Sequence, residues 1–274
     1  MRKPKLGQNY LIDEAARNAI VDALGDISTR TVIEIGPGHG AITSILAARC
    51  RRLIAIELDP ALAAELRFRF RNEPQVEIVE ADVLEVDFAA LVLPGESADV
   101  IGNLPYYITS PILMRLFAAG ASGLLARAVV MMQREVADRL SAAPGCREYG
   151  LLSATTQINA RVETLFTLPP TAFSPPPEVF STVLRLEFAP RFGELGVDAA
   201  GFDAFLRRCF AQKRKTLANN LRAASHTGAR GYSADELRAA WPAAIPPLAR
   251  AESLALEPLA ALYRALGPLR RDAE

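Results

Sequence analysis

Through its first 187 residues the chain alternates short runs of aliphatic and β-branched residues with longer amphipathic stretches, the pattern of parallel strands interleaved with helices. The runs Thr31 to Ile35, Leu53 to Ile56, Val76 to Val79, Ala98 to Ile101 and Ala128 to Met132 predict strands. Two more follow, Val162 to Leu168 and Thr182 to Phe188, separated by Pro169-Pro170 and Pro175-Pro176-Pro177. That connection is too short for a crossover helix, so the last pair is expected to be antiparallel. An α/β fold with a seven-stranded sheet and one reversed strand results. After Pro190 no strand-like run is left. Phe202 to Arg208, Leu217 to Ala223, Ala234 to Trp241 and Leu256 to Leu266 carry helical spacing, and glycines and prolines cut the segment into short helices. Two domains are therefore expected, residues 1–188 and residues 189–274.

Composition narrows the class. Half of the 274 residues are apolar, as in soluble globular proteins, and no apolar run approaches the roughly 18 residues of a membrane helix. Met1-Arg2-Lys3-Pro4-Lys5 turns polar at Gly7-Gln8-Asn9 rather than entering a signal-type hydrophobic stretch, which predicts a cytoplasmic protein. Three scattered cysteines and two histidines argue against a disulfide framework or a metal site.

The net charge of zero conceals an asymmetry. Residues 188–274 hold 13 Lys+Arg against 9 Asp+Glu, and the preceding residues hold 18 against 22. The basic excess gathers at Arg207-Arg208 and Lys213-Arg214-Lys215, with Arg222 farther along the same predicted helical stretch. Such a run is either a solvated helix face or a surface for nucleic-acid phosphates.

Candidate chemistry sits at strand ends. The strand Thr31 to Ile35 runs into Gly36-Pro37-Gly38-His39-Gly40, where glycines let a ligand approach the backbone and the next helix start favours negative charge. The G-x-G-x-G spacing differs from the dinucleotide fingerprint. Glu57 follows the next strand, about 20 residues on, where a carboxylate accepts ribose hydroxyls. Asp82 follows the strand after that and could accept an adenine amine. Asn103-Leu104-Pro105-Tyr106 closes a further strand: an amide oxygen and a carbonyl as acceptors, a proline to stiffen the turn, and an aromatic face for stacking. By itself the tetrapeptide fits a plain strand-ending turn as well as a socket for a planar amine. His39 and His226, lone loop histidines, are given no role.

With these residues in hand, the chain resembles the ribosomal RNA adenine N6,N6-dimethyltransferases of the KsgA type over nearly its whole length. Gly7-Gln8-Asn9-Tyr10-Leu11 resembles the family's N-terminal cofactor segment, Glu34-Ile35-Gly36-Pro37-Gly38 its glycine turn, and Ile56-Glu57-Leu58-Asp59 its ribose-binding acid. Asp82, Asn103-Leu104-Pro105-Tyr106, the proline loop Phe173 to Ser181 and the basic Gln212-Lys213-Arg214-Lys215-Thr216 follow in the family's order. Two departures stand out, Glu178 where the family often has lysine and Tyr107 where others are polar.

The resemblance implies a Rossmann-like class I methyltransferase fold with S-adenosylmethionine as methyl donor. It puts Asn9, Leu11, Gly36, Glu57, Asp82 and Asn103 on that cofactor. Asn103 and the Leu104 carbonyl would accept from the target amine, and Tyr106 and Phe173 would stack the extruded base. Arg207, Arg208, Lys213, Arg214, Lys215 and Arg222 are the expected RNA contacts. The implied reaction is dimethylation of two adjacent adenosines near the 3′ end of 16S rRNA within an assembling 30S-type particle, by a monomeric enzyme that also serves small-subunit biogenesis. Three readings compete: a large-subunit RNA methyltransferase of the antibiotic-resistance branch, a chiefly non-catalytic assembly factor, and a nicotinamide-dependent oxidoreductase. The glycine spacing and the amine socket disfavour the last.

Overall fold

The computed structural model describes residues 9–223 and 231–267; Gly7, Gln8 and His226 lie outside the described residues. Two compact units emerge, one of residues 9–137 and 160–189, the other of residues 138–159 and 190–267.

The first unit holds nine strands: β1 Tyr10–Leu11, β2 Thr31–Ile35, β3 Arg52–Glu57, β4 Val76–Glu80, β5 Ala98–Asn103, β6 Leu125–Gln133, β7 Ala160–Leu168, β8 Phe173–Ser174 and β9 Ser181–Phe188. Seven of them form one sheet in the order β4-β3-β2-β5-β6-β9-β7, while β1 and β8 pair separately. Strands β4 to β6 run parallel to β2 and β3, and β9 is antiparallel to both of its neighbours, β6 and β7. The expected single reversal is therefore β9. Full burial of Thr31-Val32-Ile33-Glu34-Ile35 explains why β2 reads as a continuous apolar run rather than an alternating one: both faces of a parallel sheet are covered.

Helices α1 Glu14–Asp22, α2 Thr43–Ala47, α3 Pro60–Arg69, α4 Phe88–Leu91 and α5 Thr109–Ala121 supply the covering layers, and α6 Arg134–Ser141 follows β6. Their starts are written locally. Asp13, Asp59 and Asp87 each accept a backbone N–H of the first turn, and Pro60 occupies a first-turn position where no donor is needed. The chain winds outward from β2 through β3 to β4, then returns to the other side of β2 as β5. That reversal opens a crevice beyond the carboxyl ends of β2 and β5, where open α/β sheets bind ligands. Register draws its walls together: Ile35 sits opposite Gly102, and a Cβ on Gly102 would stand 2.7 Å from the Ile35 carbonyl oxygen. Beneath β2, the fully buried Asp99 carboxylate accepts from Arg30 at 3.1 Å and Arg127 at 3.0 Å.

The second unit comprises α7 Leu151–Asn159, α8 Phe192–Leu195, α9 Ala199–Cys209, α10 Leu217–Arg222, α11 Ala234–Ala240 and α12 Leu256–Leu266. Its core joins Tyr149, Ala154 and Ile158 to Phe202, Phe205 and Tyr263. Those first three side chains give the physical reason why the boundary expected at residues 188/189 misses residues 138–159: their apolar faces are buried against α9 and α12. Sequence proximity had assigned them to the sheet. Among the described residues no helix is long and apolar enough to cross a membrane.

Candidate active site

Two cavities open along the carboxyl edge of the sheet, of about 430 Å³ and about 60 Å³. The larger is walled by β1, the glycine turn and Asn103 to Tyr107; the smaller by Glu57, Leu58, Asp82 and Val83, with Gly36, Pro105 and Tyr107 shared between them.

The glycine turn takes its shape from residues in the left-handed region, Gly36 at φ +67°, Gly38 at +57° and Gly40 at +74°. Space also demands glycine at 38, where a Cβ would stand 2.9 Å from the Tyr10 ring. Glu57 holds this turn. Its side chain is 2% exposed, one carboxylate oxygen accepting the Gly38 N–H at 3.1 Å and the other the Asp59 N–H at 2.9 Å. A carboxylate has about four lone-pair sites, so this clamp leaves acceptor capacity toward the small cavity. Asp82, half-buried on the opposite wall, caps its own turn by accepting the Leu84 N–H at 2.9 Å through one oxygen.

Asn103 ends β5 with its amide in the large cavity. Its Nδ2 donates to the Asn9 carbonyl at 3.1 Å, and its Oδ1 is buried without a partner. The next residue is equally constrained: the Leu104 N–H donates to the Met131 carbonyl at 2.9 Å, and no described group donates to the Leu104 carbonyl. Tyr106 lines the cavity with its hydroxyl bonded to Ser181 Oγ at 2.7 Å, and burial raises its pKa, so the phenol stays neutral. Thr109 Oγ1 donates to the Pro105 carbonyl at 2.9 Å and fixes the turn from below. Asn9, Leu11, Gly36, Asn103, Leu104 and Tyr106 thus gather at one cavity, and Glu57 and Asp82 at its neighbour.

Phe173 is not among them. Its side chain is 2% exposed and packs in the core with Leu11 and Val183, so it offers no stacking face to the cavity. Its backbone matters instead, because β8 pairs with β1 in the register Leu11↔Phe173 and holds the N-terminal strand against the glycine turn. In the second unit Arg208 is likewise withdrawn. It is 5% exposed and its guanidinium donates to the Ala223 carbonyl, which makes it a tie between α9 and the end of α10 rather than a phosphate contact. Arg207, Lys213, Arg214, Lys215 and Arg222 remain exposed. The triplet 213–215 occupies the turn between α9 and α10, not a helix, with Lys213 donating to the Arg147 carbonyl and Arg207 paired with Asp203.

Sequence reasoning passed over three contributors. Glu34 lines the large cavity from the end of β2; burial pushes its carboxyl up to about 7, and one of its oxygens is unpartnered. Arg17 of α1 donates twice to the Leu11 carbonyl, at 3.0 and 2.6 Å, and anchors β1. His39, given no role, meets Glu65 at 3.3 Å and the Tyr10 ring at a centroid distance of 4.8 Å. A buried acid inside an apolar strand was the one available signal for Glu34; the Arg17–Leu11 bond spans only six residues but carries no motif, and His39 meets residues 26 and more positions away. Among the described residues no group of three His, Cys, Asp or Glu is placed to hold a metal ion.

Comparison with known proteins agrees with this geometry. Residues 1–258 match the family described as ribosomal RNA adenine dimethylase. A protein of Acidobacterium capsulatum named ribosomal RNA small subunit methyltransferase A is 60% identical over 264 residues, 96% of this chain and 91% of its own. Its namesake from Koribacter versatilis is 51% identical, over 97% and 94% of the two chains. Among solved structures, a dimethyladenosine transferase from Plasmodium falciparum shares the fold with a TM-score of 0.76 at 23% identity, covering 95% of this chain and 99% of the other. With the family matched across residues 1–258 and the glycine turn and Asn103 to Tyr106 lining one cavity, the chain belongs to the ribosomal RNA adenine dimethylase family.

Proposed function

We propose that this chain transfers methyl groups from S-adenosylmethionine to the N6 amines of two adjacent adenosines near the 3′ end of small-subunit rRNA. The observation that carries this reading is the unpartnered, buried Oδ1 of Asn103 beside a Leu104 carbonyl that accepts from no described group, both residues lining a cavity of about 430 Å³. An aromatic amine presents two N–H donors, and its lone pair is delocalised into the ring. Acceptors on both N–H bonds favour the tetrahedral nitrogen that can attack carbon.

The cofactor fits the residues present. When bound, it would supply a methyl group on a sulfonium, for which the neutral thioether is a good leaving group. Glu57 would hold its ribose hydroxyls, Asp82 its adenine amine, and the glycine turn lining the larger cavity would lie close to its amino-acid tail. Asn103, anchored through Asn9, holds the acceptor nitrogen in line. Tyr106 supplies the stacking face, a role that Phe173 does not share. Once methylated, the nitrogen becomes acidic and its proton passes to water, so positioning rather than a dedicated base carries the rate.

The substrate assignment follows the relatives named for the small subunit. We take the enzyme to act in the cytoplasm as a monomer, on an assembling particle, with Arg207, Lys213, Arg214, Lys215 and Arg222 contacting phosphates. The test is methyl transfer to immature small subunits from cells lacking the enzyme, with primer extension on both ribosomal RNAs. Dimethylation confined to adjacent small-subunit adenosines is expected; modification of large-subunit RNA alone would overturn the assignment.

A further inference from the structure

We propose that Phe180 and Arg134 form a stacking site for the nucleotide next to the target adenosine. The proposal rests on the RNA-methylating reading above and adds a contact outside the cavity. Phe180 leaves the proline loop 43% exposed, so its ring is open to a partner from solvent. The Arg134 guanidinium lies over it, 5.1 Å from the ring centroid, and has no carboxylate partner among the described residues. Backbone bonding fixes the pair: Arg134 N–H donates to the Phe180 carbonyl at 3.0 Å, where β6 ends and β9 begins.

This pair is continuous with the amine socket. The residue after Phe180 is Ser181, whose hydroxyl is bonded to that of Tyr106 at 2.7 Å. Ser181 itself is buried, so Phe180 is the exposed residue of this loop adjoining the one bonded to Tyr106, and we place the neighbouring nucleotide there. Each further step of single-stranded RNA brings one flat base and one phosphate. The pair offers a matching ring face and an uncompensated cation. An acidic or aliphatic peptide would satisfy only one of these two features. Tyr107, 61% exposed, lines both cavities and adds a second exposed aromatic residue beside Tyr106.

The test uses the full chain with immature small subunits as substrate and compares Phe180→Ala, Phe180→Trp and Arg134→Gln. Loss of one base-stacking contact is expected to lower kcat/KM in Phe180→Ala roughly five-fold or more, mainly through KM. Phe180→Trp restores it. Arg134→Gln reduces the slope of log binding constant against log salt by about 0.7, the share of one phosphate on a single strand. Cofactor affinity by calorimetry stays at the wild-type value in all three. Wild-type kcat/KM in Phe180→Ala, or no recovery in Phe180→Trp, would mean that Arg134 merely shields an exposed ring, and the proposal would fall. A wild-type chain that methylates no RNA would remove this proposal and the reading of the site together; RNA methylation with an indifferent Phe180 removes only this one.

Discussion

The Asn103 side chain donates to the backbone carbonyl of Asn9, 94 residues earlier in the chain, at 3.1 Å. One hydrogen bond thus ties the end of the central strand β5 to the segment that closes the cavity. One of the two Nδ2 N–H bonds is spent there, while Oδ1 is buried with no partner among the described residues. In Asn103→Ala, methyl transfer is expected to fall by about 100-fold or more, the scale lost with one preorganised transition-state hydrogen bond. Single-turnover assays measure this, with calorimetry of cofactor binding alongside; a wild-type rate with intact binding would sink the mechanism.

Glu57 links the two cavities: it lines the smaller one with Asp82 and clamps Gly38, which lines the larger. Replacing it with glutamine keeps the volume but removes the charge that strengthens its bonds to the Gly38 and Asp59 N–H groups. Cofactor affinity in Glu57→Gln should drop roughly ten-fold or more. Calorimetry checks it, and an unchanged dissociation constant would remove Glu57 from the cofactor site.

Glu34 gives the fold a pH dependence. Its carboxyl titrates near 7 in the folded chain because burial disfavours the charged form, against 4.5 for the exposed group. Between those values the folded chain holds a proton that the unfolded chain has released. The associated stability is complete below about pH 4.5 and is lost as pH rises through 7. Glu34→Gln cannot ionise, so its Tm should gain on the wild type by a few degrees, at about 2–4 °C per kcal/mol, between pH 5 and pH 8. Thermal scans at the two pH values decide it; a constant difference would show that Glu34 is not the titrating group.

The basic residues of the second unit separate into two kinds. Arg214→Glu with Lys215→Glu should weaken RNA binding and flatten its salt dependence, because both side chains project from an exposed turn. Arg208→Gln should instead lower Tm, since it loses the tie to the Ala223 carbonyl inside the unit. Filter binding across a salt series, with thermal denaturation, distinguishes the two; a full salt slope in the double reversal would return the turn to plain solvated surface.

Much of this protein is legible along the chain, because local physics writes it there. Apolar runs such as Val32-Ile33 mark buried strands, Asp59-Pro60 marks a helix start, and Gly36-Pro37-Gly38 marks a turn that only glycines can make. The acids at 57 and 82 and the tetrapeptide 103–106 are placed by one rule, that each follows a strand whose carboxyl end points the same way. These one-dimensional signals determined the sheet, its single reversed strand, and the strand ends at which the candidate site gathers. Only tertiary structure could decide which side chains face that chemistry. Phe173 and Arg208 lie in motifs that suggest contact with RNA, yet each is drawn inward by partners distant in sequence, Leu11 in one case and Ala223 in the other. Residues 138–159 join the helical unit for the same reason, since Tyr149 and Ile158 find their apolar partners on α9 and α12. Burial and hydrogen bonding between remote residues are properties of the packed chain. Asn103 joins the two levels: its position was written in the sequence, and the direction of its amide was set by Asn9.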